Sequence, residues 1–317
     1  MHKKENRRPD VIFKNFWRKN DRFASLFNTV AFGGRNMIRP EELMELDTDV
    51  SNEIRAGEYK ETLTRMRDVV KKAAQGVEFV VMGIENQSRI HYAMPLRMMI
   101  YDSFGYLKEY QEVVQEHRKA GDKMTAEEFL SGMHREDRLH PIISIVIYYS
   151  EEPWDGPLSL KDMVTEMPEE IESSFADYKM NLLQAAKSEE YLFENEDVQI
   201  VFEAVRYFYH GEFEKIEKVF GDKEIEPDVG AMIGAITGNE QIVEEALRRE
   251  GGSKMKMCTA LVQLEEKCRK EGIEEGRKAG RKEMIVALLK AGTEMQILTE
   301  ASGLSEEEIR KIQRETE

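Results

Sequence analysis

Cysteine is almost missing from this chain. Cys258 and Cys268 are the only two in 317 residues, ten apart in a charged segment without clustered histidine. That pattern excludes a disulfide framework and a Cys/His zinc module, and leaves ordinary reduced thiols. Also missing is any uninterrupted apolar run near the roughly 20 residues of a membrane span. The opening MHKKENRRPD lacks the apolar centre of a signal peptide, so the expectation is a cytoplasmic protein with no membrane partner. Basic charge is in deficit: 46 Lys and Arg stand against 62 Asp and Glu, a net charge of −16. Such a balance weighs against a polyanionic partner, because phosphate binding rests on cations that neutralise the backbone.

The distribution of charge alters that inference. Residues 1 to 40 carry Lys3, Lys4, Arg7, Arg8, Lys14, Arg18, Lys19, Arg22, Arg35 and Arg39 against Glu5, Asp10 and Asp21. This basic end is either a solvated face or a phosphate-binding one. With 41% hydrophobic residues, the chain has enough apolar material for a sizeable core.

Periodicity orders the rest. FKNFWRKNDRFASLFNTVAF has helical spacing and stops at Gly33-Gly34, and RPEELMELD predicts a short helix opened by Pro40. TLTRMRDVVKK (62–72) and VEFVVMGI (77–84) predict neighbouring strands joined by a turn ending in Gly76. A long amphipathic helix follows over about 93–119, then an irregular acid-rich stretch. The apolar run IISIVIYY (142–149) predicts a buried strand entering the loop SEEPWDGP, with Trp154 anchoring that loop to the core. The order implies a mixed α/β core, its sheet covered by helices. Past about residue 160 no strand is expected: EEIESSFADYKMNLLQAAK, EDVQIVFEAVRYFYHGEFEKIEKVF and EQIVEEALRRE all read as helical. Gly272, Gly276 and Gly280 punctuate a polar segment, and the last 45 residues predict two or three short helices broken at Gly292 and Gly303, of helix-turn-helix size.

The stretch VMGIENQS carries the chemistry. Residues i and i+2 of a strand face one side, so Glu85 and Gln87 project together while Asn86 turns away. The preceding strand supplies Asp68. Two carboxylates on adjacent strands can hold Mg²⁺ through hard oxygen ligands, and the ion then activates a bound water and stabilises charge on a phosphorane. Gln87 can orient that water but brings no positive charge. Polar residues at a strand end also ordinarily meet solvent. Arg97 and Tyr101, one helical turn apart just beyond the site, offer a possible phosphate contact through Arg97 or simple packing. His91 reads as a lone structural histidine.

DVIFKNFW, RMRDVV, GIENQS, MPLRMMIYDSF and HPIISIVIYYSEEPWDGPLSL stand in an order that resembles the Rpn (recombination-promoting nuclease) or YhgA-like putative transposases, a branch of the PD-(D/E)XK nuclease superfamily. The resemblance covers roughly residues 9 to 165 and recurs in the tail LLKAGTEMQILTEASGLSEEEIRKI. It implies a restriction-endonuclease-like mixed sheet flanked by helices, an all-helical C-terminal region, and Mg²⁺-dependent cleavage of DNA. Asp68 and Glu85 become the metal carboxylates, and Gln87 takes the place of the superfamily's lysine. A further acid from the first helix is implied, with Asp10, Glu42 and Glu45 as candidates. The expected division is a nuclease-like domain over 1–165, a helical region over 166–272 and a helical tail over 273–317 that serves homo-oligomeric assembly or DNA contact. The alternatives are a degenerate nuclease fold that binds DNA or a protein without cleaving, and a regulatory protein whose helical half does the work.

Overall fold

The computed structural model describes residues 8–45, 69–73, 78–84, 90–249, 252–256, 273 and 276–314, with the backbone alone for 73 and 78–84. Residues 1–260 form one compact unit and 261–317 a second. The first contains a five-stranded sheet in the order β1-β2-β3-β4-β5, built from Leu43–Glu45, Val69–Ala73, Glu78–Ile84, Ile142–Tyr148 and Asn181–Gln184. β1, β2 and β3 pair antiparallel, whereas β3, β4 and β5 run parallel.

β4 explains why its sequence is a continuous apolar run. Ile145, Ile147 and Tyr149 look one way, toward α1 (Pro9–Trp17): the Tyr149 ring lies 4.8 Å from that of Phe13, and Trp17 Nε1 donates to Tyr149 Oη at 3.1 Å. Val146 and Tyr148 look the other way and pack with Met94, Met98 and Tyr101 of α3 (Met94–Ala120). A strand buried on both faces loses the polar alternation of a surface strand. The exception, Ser144, has its hydroxyl satisfied by Asp102 of α3 at 2.7 Å. The sheet is thus covered on both faces by helices, in a mixed α/β architecture.

The predicted helix over 13–30 is two helices, α1 and α2 (Asn20–Val30), because Lys19 adopts an extended conformation. The break is used: the fully buried Lys71 of β2 sends its ammonium to the Arg18 carbonyl and to Asn20 Oδ1, while the Asn20 amide donates to the carbonyls of Pro40 and Leu43 at 2.9 Å. A continuous helix would have consumed the Arg18 carbonyl. After Pro40 there is only one 3₁₀ turn before β1, in place of the expected short helix.

Beyond α3 the chain forms α4 (Ala126–Ser131), held by a capping box in which Thr125 and Glu128 satisfy each other's backbone N–H. After β4 comes a single turn, α5 (Glu169–Glu172), and then β5 at the edge of the sheet. The C-terminal part is therefore not all helical. β5 draws Asn181–Gln184 out of a segment expected to be helix, since Leu183 is fully buried there. A two-stranded ribbon, β6 (Glu224–Ile225) with β7 (Met255–Lys256), is a further departure.

The helices α6 (Glu196–Tyr209), α7 (Phe213–Phe220), α8 (Pro227–Ile236) and α9 (Glu240–Arg248) share the first unit with the sheet. Gly211, at φ +67°, makes the corner between α6 and α7. Apart from Asp228 in its first turn, α8 is apolar, and most of its residues are buried. At Gly234 an added Cβ would approach the Val243 backbone nitrogen to 3.0 Å, so glycine lets α9 close on α8. No described helix is long and apolar enough to cross a membrane.

The second unit contains α10 (276–290), α11 (Met295–Ser302) and α12 (Glu306–Arg314) around Ile285, Leu298 and Ile309. Gly292 and Gly303 break it at the expected points, each in the left-handed conformation. Among the described residues, an added Cβ at Gly276 or Gly280 would meet nothing within 4 Å.

Candidate functional site

The carboxyl ends of three parallel strands meet at one edge of the sheet: Ile84 pairs with Tyr148, and Tyr148 with Gln184. This is the edge at which open α/β sheets bind their ligands. The antiparallel β2 begins nearby, with Val69 opposite Val81, three residues back from Ile84. At a rise of about 3.3 Å per residue, that offset is roughly 10 Å along the strand. Asp68 precedes Val69 in the chain and Glu85 follows Ile84; Asp68, Glu85 and Gln87 themselves lie outside the described residues, as do Cys258 and Cys268.

The described rim of this edge is well built. Trp154 packs edge to face on Tyr148, with ring centroids 5.2 Å apart, so the loop anchor expected from the sequence is present. Its backbone N–H donates to Gln184 Oε1 at 2.8 Å, tying the loop after β4 to the end of β5, and its indole N–H donates to the Gly156 carbonyl at 2.9 Å. Ile90 packs on the same cluster and brings the start of α3 to the rim. Arg97 sits in the first turn of that helix, half-buried, and Tyr101 is buried one turn on. The His91 imidazole titrates below the usual histidine range, through desolvation first and the Arg97 guanidinium second. It is thus a neutral group next to a cation, an environment that also favours an incoming anion. Behind β4, burial pushes the Tyr209 phenol upward, with Glu151 and Tyr148 adding to the shift.

The basic N-terminal end resolves differently from its sequence. Lys3, Lys4 and Arg7 lie outside the described residues. Arg8 pairs with Asp10, Arg18 with Glu45 at 2.7 Å, Lys19 with Asp228 at 2.8 Å, and Arg22 with Asp197 and Asp228. These four cations are engaged within the chain. Two of the three first-helix acid candidates, Asp10 and Glu45, are likewise partners of arginine; Glu42 lies half-exposed on the 3₁₀ turn. A small, mostly apolar pocket between α1, α8 and α9 is lined by Ile12, Asn15, Pro227 and Ala246.

A second cluster escaped the sequence. His117 at the end of α3, Asp122 just past it and His134 beyond α4 bring three ligand atoms within 4.8 Å of one another. Spacings of five and twelve residues match no local motif. The legible signals were Gly121, which ends α3 at φ +69°, and the Thr125–Glu128 capping box that turns the chain back. Comparison of the chain with family models, with curated proteins and with solved structures gives no match.

Proposed function

We propose that residues 1–260 carry a restriction-endonuclease-like fold of the Rpn type and act as an Mg²⁺-dependent DNA endonuclease. Asp68 and Glu85 hold the ion, Gln87 orients the attacking water, and Arg97 receives a phosphate. The supporting observation is the strand register. Parallel β3, β4 and β5 end together at Ile84, Tyr148 and Gln184, and Glu85 is the chain neighbour of Ile84; Asp68, the chain neighbour of Val69, belongs to a strand that starts opposite Val81, three residues back. Bound there, Mg²⁺ supplies an activated water and charge stabilisation on the phosphorane. The chain's own residues orient water through a neutral carboxamide and draw the phosphodiester toward the cation of Arg97. In this reading the three-helix tail assembles copies of the chain.

The test is nicking of supercoiled plasmid by the full chain in Mg²⁺ against EDTA. Metal-dependent nicking supports the proposal. DNA binding that weakens with salt but never leads to cleavage supports a degenerate nuclease fold instead. The engagement of Arg18, Lys19 and Arg22 in internal pairs counts against a basic DNA-binding arm at these positions under either reading, because cations so engaged release no counterions from phosphate.

A further inference from the structure

The hairpin of α3 and α4 gathers ligating side chains that the strand-edge site does not use. Nδ1 of His117 lies 2.7 Å from Oδ2 of Asp122, and Nε2 of His134 lies 3.6 Å from the same oxygen. A tetrahedral ion with bonds of about 2.0 Å holds its ligand atoms roughly 3.3 Å apart. The two separations bracket that value, so small side-chain shifts close the set.

What distinguishes this group from an ordinary surface charge cluster is the outer side of each imidazole. His117 Nε2 faces Asp137 Oδ2 at 2.8 Å, and His134 Nδ1 faces Glu128 Oε1 at 3.3 Å. Both outer carboxylates are fixed by main-chain donors. Asp137 accepts from His134 N–H at 2.6 Å, and Glu128 accepts from Thr125 N–H at 2.9 Å and from Arg135 N–H at 3.2 Å. An imidazole that donates outward to a fixed carboxylate presents its other nitrogen bare, which is how metal-ligating histidines are oriented. The chain supplies this arrangement twice, once for each ring, and the two rings stand nearly perpendicular at 84°.

We propose that His117, His134 and Asp122 bind one divalent cation of the borderline class, zinc above others, with Asp137 and Glu128 as the outer partners of the two histidines. Two imidazoles and one carboxylate suit Zn²⁺ and not Mg²⁺, which takes oxygen ligands. The histidines are 17% and 24% exposed and Asp122 37%, so a fourth position is open to water. The ion clamps the end of α3 to the loop at 133–137 that leads into β4.

The experiment strips full-length protein with EDTA, dialyses it against ZnCl₂ or MgCl₂, and counts retained metal per chain. Circular dichroism checks folding. One zinc is expected in the wild type and also in a doubly substituted Asp68→Asn, Glu85→Gln protein, which keeps this site independent of the proposed nuclease. That zinc is lost in His134→Gln and in Asp122→Asn, and Asp137→Asn weakens its binding by about 10- to 100-fold. Should His134→Gln not fold, Asp137→Asn carries the test, since its amide oxygen still accepts from the His134 N–H. Zinc retained equally by these variants, or none retained by the wild type, overturns the proposal and leaves His117 as a doubly paired imidazolium only.

Discussion

Arg22 of α2, with no exposed surface, grips Asp228 of α8 through two hydrogen bonds of 2.7 and 3.0 Å. The same guanidinium reaches Asp197 of α6 at 2.6 and 3.1 Å, and it lies 4.2 Å above the Phe16 ring. Both aspartates stand in the first turns of their helices, where a carboxylate also meets the positive end of the helix dipole. One cation therefore joins α2 to the first turns of α6 and α8.

Removing one side of a buried pair leaves charge without compensation, at a cost of about 3 kcal/mol. Arg22→Met is expected to lower stability by that order in chemical denaturation. Asp228→Asn should cost less, because Asp228 is about one-third exposed and Asp197 still holds the guanidinium. Equal stability of Arg22→Met and the wild type would remove the clamp.

Lys71 gives a pH signature. Burial lowers its ammonium to about 8 from an ordinary 10.5, against a smaller opposing pull from Glu45 and Asp21. Below pH 8 both folded and unfolded chains hold the proton, and the desolvation cost is fully present. Between 8 and 10.5 the unfolded chain binds the proton that the folded chain has released. Stability should therefore rise with pH in this window, by up to about 1.4 kcal/mol per unit from this group. Lys71→Met is expected to flatten the rise. Parallel profiles for the two proteins from pH 8 to 10.5 would contradict it.

The parts of the fold that were legible share a physical cause. β4 is a long apolar run because helices cover both its faces, and α3 is amphipathic because one face meets the sheet. The elements that were missed lack such a pattern. β5 has only four residues inside a polar, helix-prone stretch, and α8 shows little amphipathic period because nearly all of its residues are buried. The break at Arg18 was hidden because aromatic residues continue on both sides of it, at Trp17 and Phe23, while the Lys71 ammonium that uses the freed Arg18 carbonyl lies some fifty residues away. Near the strand ends, Trp154 as a loop anchor was legible from its neighbours in sequence. The His117–His134 cluster depends on a hairpin that only capping signals announce.

Trp154 holds the rim of the strand-edge site. Trp154→Ala is expected to cost about 3 kcal/mol, as a large ring leaves the cluster around Tyr148 and Met98. Trp154→Phe, which keeps an aromatic ring in the cluster but loses part of the indole and its bond to the Gly156 carbonyl, should cost less, about 1 kcal/mol from the bond alone. Thermal melts of the two variants measure the difference, and equal losses would show that the ring does not fill the cluster.

The tail rests on Ile285, Leu298 and Ile309, all but fully buried. A charge among them has no partner to offset its desolvation, so Ile309→Asp is expected to unfold the three helices and reduce helical ellipticity. With assembly assigned to this unit, light scattering should return a lower mass for Ile309→Asp than for the wild type. An unchanged mass in the presence of an unfolded tail would take the assembly role away.

The most direct test of the nuclease proposal is the initial rate of supercoiled-plasmid nicking in Mg²⁺ by the wild type, Asp68→Asn and Glu85→Gln, each shown to be folded by circular dichroism. Both substitutions keep the shape of the side chain and remove one negative charge from the metal site. The wild type is expected to nick with Mg²⁺ and not with EDTA, and both variants to lose the metal-dependent rate. Wild-type rates in both carboxylate variants would contradict the proposal.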